Sequence, residues 1–124
     1  MSLTLGPATP FLRMFDEAKA REFYVDFLGF SWDWEHRFAP DMPLFAQISR
    51  AGLKLFLTEH HGDGTPGTKV HINTTGIDGL HAELIGKRYR YARPGIEDMP
   101  WGERVVSVAD PFGNILVFAE RVAG

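Results

Sequence analysis

The chain has 124 residues, a formal net charge of −3 and no cysteine. This length predicts one domain that buries a sufficient core without a metal or a disulfide. The lack of cysteine excludes a disulfide scaffold, a thiolate nucleophile and Cys-ligated metal sites, and the lack of a basic cluster argues against a nucleic-acid partner. The sequence contains neither a signal-peptide pattern nor a membrane span, so we expect a cytoplasmic protein.

The first half of the sequence predicts a strand, a helix and three further strands. Residues 11–15 form a short apolar strand, after which Asp16 can cap a helix that Gly29 closes in a left-handed conformation. Apolar residues recur along this helix with the spacing of one buried stripe, namely Ala20, Phe23, Tyr24, Phe27 and Leu28. The three strands are expected at residues 31–38, 44–49 and 53–58.

The second half repeats this order after a loop at residues 59–67. A strand is expected at residues 69–75 and a helix at residues 77–87. The buried stripe of that helix is predicted to hold Ile77, Leu80, His81, Leu84 and Ile85. Three more strands are expected at residues 88–93, 103–109 and 114–121.

The last two strands are predicted to form a hairpin. Asp110-Pro111 fixes φ in the turn and Gly113 tolerates positive φ. Alternation gives the final strand two faces, one with Ile115, Val117 and Ala119, the other with Leu116, Phe118 and Glu120. The result is a sheet covered on both faces.

Aligning Asp16 with Asp78 superposes the two halves, which indicates an internal duplication. The same offset places Thr9 on His71 and brings Phe56 close to Val117 or Phe118. The prediction is an α+β protein of two βαβββ modules, at about residues 8–58 and 69–121, joined by a linker at 59–68. If each module buries one sheet face against its own helix, the other faces form a shared cupped surface, where we expect a cleft.

With its repeat and its hairpin, the chain resembles the glyoxalase/bleomycin resistance/dioxygenase superfamily, also called the vicinal oxygen chelate proteins. Three segments carry this resemblance over nearly the whole chain: Ala20-Arg-Glu-Phe-Tyr-Val-Asp-Phe-Leu-Gly-Phe30, Pro100-Trp101-Gly102 and Asp110-Pro-Phe-Gly-Asn-Ile-Leu-Val-Phe118. The chain looks most like the bleomycin resistance proteins, because of Leu28-Gly-Phe-Ser-Trp-Asp-Trp34, Gly79-Leu-His-Ala-Glu83 and Pro100-Trp-Gly-Glu-Arg104. The resemblance implies a cupped mixed sheet built from the two modules.

Metal-dependent members of the superfamily hold a divalent ion at four positions. By resemblance, these positions fall near Thr9, Phe56, His71 and Val117, and only His71 can be a ligand. Glu120 could replace a missing ligand, but it lies on the other strand face from Val117. We therefore expect no metal and no other cofactor, with His71 a hydrogen-bonded histidine that lines the cleft.

Two more histidines, His60 and His61, lie in the linker beside Glu59 and Asp63. Adjacent side chains of an extended segment point in opposite directions, so both imidazoles rarely reach one ion. A solvated loop is the favoured interpretation.

The candidate ligand-binding residues are Asp33, Trp34, Phe38, Phe56, His71 and Trp101. By resemblance, Asp33, Trp34, Phe38 and Trp101 match positions that line the antibiotic cleft of the resistance proteins. Trp32 and Trp34 are two residues apart in one predicted strand, so both should face the same side of the sheet. Whether that side lines the cleft or packs in the core is equally open. Aromatic rings stack on planar heterocycles and attract cations, and the acidic residues Asp33, Glu35, Glu97 and Asp98 strengthen that attraction.

The sequence thus predicts a protein that binds and sequesters a planar cationic small molecule without changing it, as in bleomycin-type antibiotic resistance. The resemblance further implies a homodimer whose clefts lie between the subunits. One alternative is a metal-dependent glyoxalase- or dioxygenase-type enzyme that uses His71 with Glu120 or a loop histidine. A scaffold or immunity-type binder of another protein is a third possibility.

Overall fold

The structure, a computed structural model, describes residues 2–122 and contains two four-stranded sheets and two helical segments. The elements of the first half are β1 (Phe11–Arg13), α1 (Glu17–Arg21, continued as a π-helix over Glu22–Phe27), β2 (Ser31–His36), β3 (Phe45–Arg50) and β4 (Leu53–Thr58). The elements of the second half are β5 (Lys69–Asn73), α2 (Ile77–Gly86), β6 (Ile96–Met99), β7 (Glu103–Ala109) and β8 (Ile115–Arg121).

The two sheets have the same topology. Sheet 1 has the strand order β1-β4-β3-β2 and sheet 2 has the order β5-β8-β7-β6. In each sheet the first and last strands of the repeat pair in parallel, and the other pairs are antiparallel. The helix supplies the crossover that a parallel pair requires. The predicted α+β fold of two βαβββ repeats is confirmed.

The first helix forms as its sequence predicts. The Asp16 carboxylate caps it by accepting from the Lys19 amide at 3.0 Å, and Gly29 follows its end with φ +75°. Its last turns widen, so that the Leu28 amide donates to the Phe23 carbonyl five residues back at 2.9 Å. All five residues of the predicted stripe are buried.

Both sheets turn one face toward a single core between the modules. Sheet 1 contributes Leu12, Ile48, Leu55 and Leu57; sheet 2 contributes Val106, Val108, Leu116 and Phe118; both helices add their apolar stripes. Each sheet therefore has an inner face that meets this core and an outer face that is turned away from it. Alternation assigns residues to the inner and outer faces of each sheet, but it does not orient one sheet against the other.

Buried polar contacts join the modules at one end of this core. The Tyr24 hydroxyl of the first helix donates to Asp110 Oδ2 of the β7–β8 turn at 2.6 Å. Asn114 Nδ2 donates to the same oxygen and to the Arg13 carbonyl, each at 2.8 Å. These contacts fix the position of the second repeat on the first.

The expected strand at residues 88–93 does not form. Arg88 has φ +51°, and the ring of Tyr89 stacks on Phe27 at a centroid distance of 4.7 Å. The strand that follows α2 in the repeat is β6, which begins only at Ile96. The predicted stripe of α2 is also partly wrong, because Ile85 is exposed near the end of the helix.

Candidate functional site

The outer face of sheet 1 presents an aromatic platform to solvent. We call Phe11, Trp34, Phe45 and Phe56 the aromatic face. The Phe56 ring lies 5.0 Å from both Phe11 and Phe45, and Trp34 lies 5.6 Å from Phe45, between ring centroids. Phe11 and Trp34 remain 44% and 43% exposed. A contiguous exposed apolar surface of this kind is typical of an interaction site.

A β-bulge in β2 creates this face. Trp32 pairs with Ile48 and Trp34 pairs with Gln47, so that Asp33 is an extra residue in the strand. Trp32 consequently packs against the core under the Arg21 guanidinium, 4.0 Å from the ring centroid. The expectation that Trp32 and Trp34 face the same side is wrong, because the extra residue reverses the alternation.

The same bulge places Asp33 beside Trp34 on the outer side of sheet 1. Asp33 Oδ2 accepts from Gln47 Nε2 at 2.9 Å. Hydrogen bonds from Gln47 and then from Ser49 lower the pKa of Asp33. The carboxylate is therefore held in its charged form at the edge of the aromatic face.

Phe38 extends the platform beyond the end of β2 and is 75% exposed. Its ring makes edge-on contacts with His36 and with His60 of the linker, at centroid distances of 4.7 Å and 6.1 Å. A large apolar ring with this exposure is available to stack on a ligand.

The outer face of sheet 2 combines apolar and polar groups. Its apolar floor consists of Val105, Val117 and Ala119, with Met99 and Ile115 packed against them. Above the floor, Glu103 accepts from Trp101 Nε1 at 2.8 Å and contacts His71 Nε2 at 3.0 Å. Trp101 stays 60% exposed in the β6–β7 turn. We call Trp101, Glu103 and His71 the indole–carboxylate cluster.

The six predicted ligand-binding residues thus form two groups. Asp33, Trp34, Phe38 and Phe56 lie on or beside the aromatic face of sheet 1, whereas His71 and Trp101 lie on the outer face of sheet 2. The two groups belong to different sheets.

Sequence reasoning missed Phe11, Phe45 and Glu103. The signal for the two phenylalanines was their alternation with buried residues, because Leu12 and Ala46 point into the protein beside them. For Glu103, the signal was its position two residues after Trp101 at the start of a strand.

The described residues do not fit a metal centre. Thr9 precedes β1, and the residue opposite Phe56 is Phe11, just as Val117 is opposite His71. Glu120 accepts from the Gly76 and Ile77 amides at 3.1 and 2.7 Å, on the other face of β8 from Val117 as predicted. Within residues 2–122, no three His, Asp or Glu side chains are close enough together to hold an ion.

Comparison with known protein families shows the family of this chain. A family model described as glyoxalase superfamily protein matches residues 3–124. The chain belongs to the glyoxalase/bleomycin resistance superfamily. In a search of curated proteins, none matches significantly.

Solved structures share this fold. A bleomycin-binding protein from bleomycin-producing Streptomyces verticillus, complexed with copper(II)-bleomycin, is 29% identical with a TM-score of 0.66, and the match covers 100% of this chain and 99% of that one. A bleomycin-binding protein complexed with bleomycin is 20% identical with a TM-score of 0.70, over 94% of this chain and 99% of that one. TnmS3, an antibiotic binding protein from Streptomyces sp. CB03234, is 19% identical with a TM-score of 0.66, over 96% and 99%.

Among residues 2–122, no helix has the length and apolar character needed to span a membrane.

Proposed function

We propose that this protein binds a planar, cationic small molecule of the bleomycin type in the cytoplasm and sequesters it unchanged, without a metal or another cofactor. The open aromatic face is the observation that carries this proposal. Phe11 and Trp34 keep nearly half of their surface in solvent although each touches other rings. Such rings offer flat apolar surface for stacking and attract a cation over their faces.

The proposal includes a homodimer, because each chain carries two half-sites, one on the outer face of each sheet. In a two-fold dimer, the aromatic face of one protomer can meet the outer face of sheet 2 of its partner, and the symmetry produces two identical clefts. One wall of each cleft then holds Trp34 and Phe38, and the other holds Trp101 and His71. A planar ligand between these walls is stacked on both sides.

The ligand class draws support from the solved structures named above, two of which are bleomycin-binding proteins. Their fold is the fold of this chain, and Trp34, Phe38 and Trp101 are exposed where a ligand can reach them. Sequestration needs only a surface that is complementary to the small molecule. The metal-dependent alternative needs several side chains that bind one metal ion. Its proposed pair, His71 and Glu120, lies on two faces of sheet 2, and Glu120 is occupied at the start of α2.

The test is calorimetric titration with bleomycin, in metal-free and copper-loaded forms, on the wild type and on Trp101→Ala. We expect saturable binding near one ligand per protomer, weakened by the substitution at least about tenfold, or about 1.4 kcal/mol. Tyr91→Ala is the matched control, because Tyr91 is an equally exposed aromatic residue that belongs to neither outer face. Its affinity should equal that of the wild type.

Sedimentation of the same samples tests the assembly. Dimers that carry two ligands are the expected species, and ligand bound to monomers would contradict the shared cleft. A flat titration with both forms of bleomycin would remove the antibiotic from the proposal.

A further inference from the structure

Glu103 is the acidic residue on the outer face of sheet 2 that is most enclosed by protein. Its side chain is only 11% exposed, and it stands beside the apolar floor that contains Val105 and Val117. Both of its oxygens are oriented, because Trp101 Nε1 donates to Oε1 at 2.8 Å and His71 Nε2 lies 3.0 Å from Oε2. A carboxylate has about four acceptor positions, so capacity remains for a further donor.

The neighbours of Glu103 maintain its negative charge. The hydrogen bond from Trp101, followed by that from His71, lowers the pKa of Glu103 and keeps it ionised. Arg121, opposite it in the strand register, exerts only a weak attraction, and no Lys or Arg of residues 2–122 lies within ion-pair distance of it.

Other acidic residues near the half-sites are engaged or solvated. Glu35 accepts from Arg21 at 2.8 Å, and Asp98 lies 3.7 Å from Arg104. Asp33 and Glu97 are exposed, where water and salt screen their charge. Glu103 differs because neighbouring residues cover most of its side chain and hydrogen-bond contacts orient both of its oxygens.

We propose that Glu103 is the specificity-determining residue of this site: its carboxylate selects planar ligands that carry a positive charge and, through the Trp101 indole, orients the ring that stacks on them. This inference rests on the proposed function. Trp101 gains its one side-chain hydrogen bond from Glu103, so the stacking ring and the counter-charge are coupled. A cation stacked on Trp101 lies next to the carboxylate, whereas an uncharged molecule of the same shape gains only the stacking.

Two planar probes separate charge from stacking. Proflavine is a planar acridine cation, and its parent acridine is uncharged at mildly alkaline pH. Both are titrated into the wild type, Glu103→Gln and Glu97→Gln by calorimetry. Glutamine keeps an oxygen that accepts from the Trp101 indole but loses the charge, and Glu97 is the matched control because it is an exposed carboxylate of the neighbouring strand on the same face.

We expect Glu103→Gln to weaken proflavine binding about tenfold, equivalent to about 1.4 kcal/mol, and to leave acridine binding unchanged. Glu97→Gln removes an exposed, screened charge, so it should weaken proflavine binding clearly less than Glu103→Gln does and should leave acridine binding unchanged. Thermal melts of the three proteins establish that each is folded before it is titrated.

The other possible results of these titrations would each contradict one part of the proposal. Equal losses for proflavine in Glu103→Gln and Glu97→Gln would show a general negative field and refute the specific role of Glu103. Unchanged proflavine binding in Glu103→Gln, or equal losses for both probes, would refute the charge selection while planar-ligand binding stands. If neither probe binds the wild type, the selection of planar cations by Glu103 is refuted, and the titration with bleomycin then decides the proposed function separately.

Discussion

Replacing Tyr24 by phenylalanine removes one hydroxyl from the contact that joins the two repeats. That hydroxyl donates to Asp110 Oδ2 at 2.6 Å, and both residues are buried. Hydrogen bonds to charged groups contribute about 1.5–3 kcal/mol to stability. Asp110 keeps three donors after the substitution, from the Phe112 amide and from the amide and side chain of Asn114. We therefore expect Tyr24→Phe to lower the free energy of unfolding by about 2 kcal/mol at neutral pH.

The loss should depend on pH in a way that identifies this contact. Burial, followed by the charge of Asp110 and the hydrogen bond to it, raises the pKa of Tyr24 well above its ordinary value of 10.0. A raised pKa contributes stability that is complete below the unfolded-state value and is lost as the pH rises above it. At one pH unit above the unfolded-state pKa of tyrosine, ionisation lowers the free energy of unfolding of the wild type by about 1.4 kcal/mol. The phenylalanine variant has no hydroxyl to ionise at this position, so the difference in stability between the two proteins falls to about 0.6 kcal/mol.

Urea denaturation of both proteins at neutral and alkaline pH measures this difference. Comparing the two proteins at each pH removes the contribution of other groups, including Tyr89, whose pKa burial and Glu22 raise to about 12. A difference below about 0.5 kcal/mol at neutral pH would refute the strength assigned to the contact. A difference that does not change with pH would refute the role of Tyr24 ionisation.

Two further comparisons test the bulge and the linker. Trp34→Ala should weaken bleomycin binding about tenfold with little change in stability, whereas Trp32→Ala should cost about 2 kcal/mol in urea denaturation with little change in affinity; the reverse result would contradict the bulge. A Cβ at Gly64 would lie 2.6 Å from a β1 carbonyl oxygen, but one at Gly62 meets nothing within 4 Å, and both have positive φ. Thermal melts should therefore show Gly64→Ala to be less stable than Gly62→Ala by at least about 1 kcal/mol, and equal melts would contradict the close approach.

Local patterns predicted the elements whose signals are contained in a few neighbouring residues. The helical stripe that includes Phe23 and Phe27 is buried as expected, and the turn at Asp110-Pro111 joins the two strands it was predicted to join. Each of these depends on spacing along the chain. Burial of one face of a helix and the φ angle of proline act within a few residues and need no knowledge of the rest of the fold.

The features that alternation could not predict depend on partners distant in the sequence. A bulge at Asp33 leaves no mark on the pattern of its strand, because the extra residue is defined by the pairing with β3. Residues 88–93 alternate basic and aromatic side chains like a strand, but stacking of Tyr89 on Phe27 is a tertiary contact that bends this segment away. The importance of Glu103 likewise depends on His71, which lies 32 residues earlier in the chain.

The repeat itself explains why one chain carries two unlike half-sites. Phe11 and Phe56 are paired across parallel strands of sheet 1 as His71 and Val117 are across those of sheet 2. One repeat fills these positions with aromatic rings, and the other has an imidazole that contacts the Glu103 carboxylate. Two copies of the aromatic face would lack the Glu103 carboxylate, and two copies of the outer face of sheet 2 would lack the aromatic platform. In the proposed dimer each cleft pairs the aromatic face of one repeat with the indole–carboxylate cluster of the other, so that divergence of the repeats supplies both.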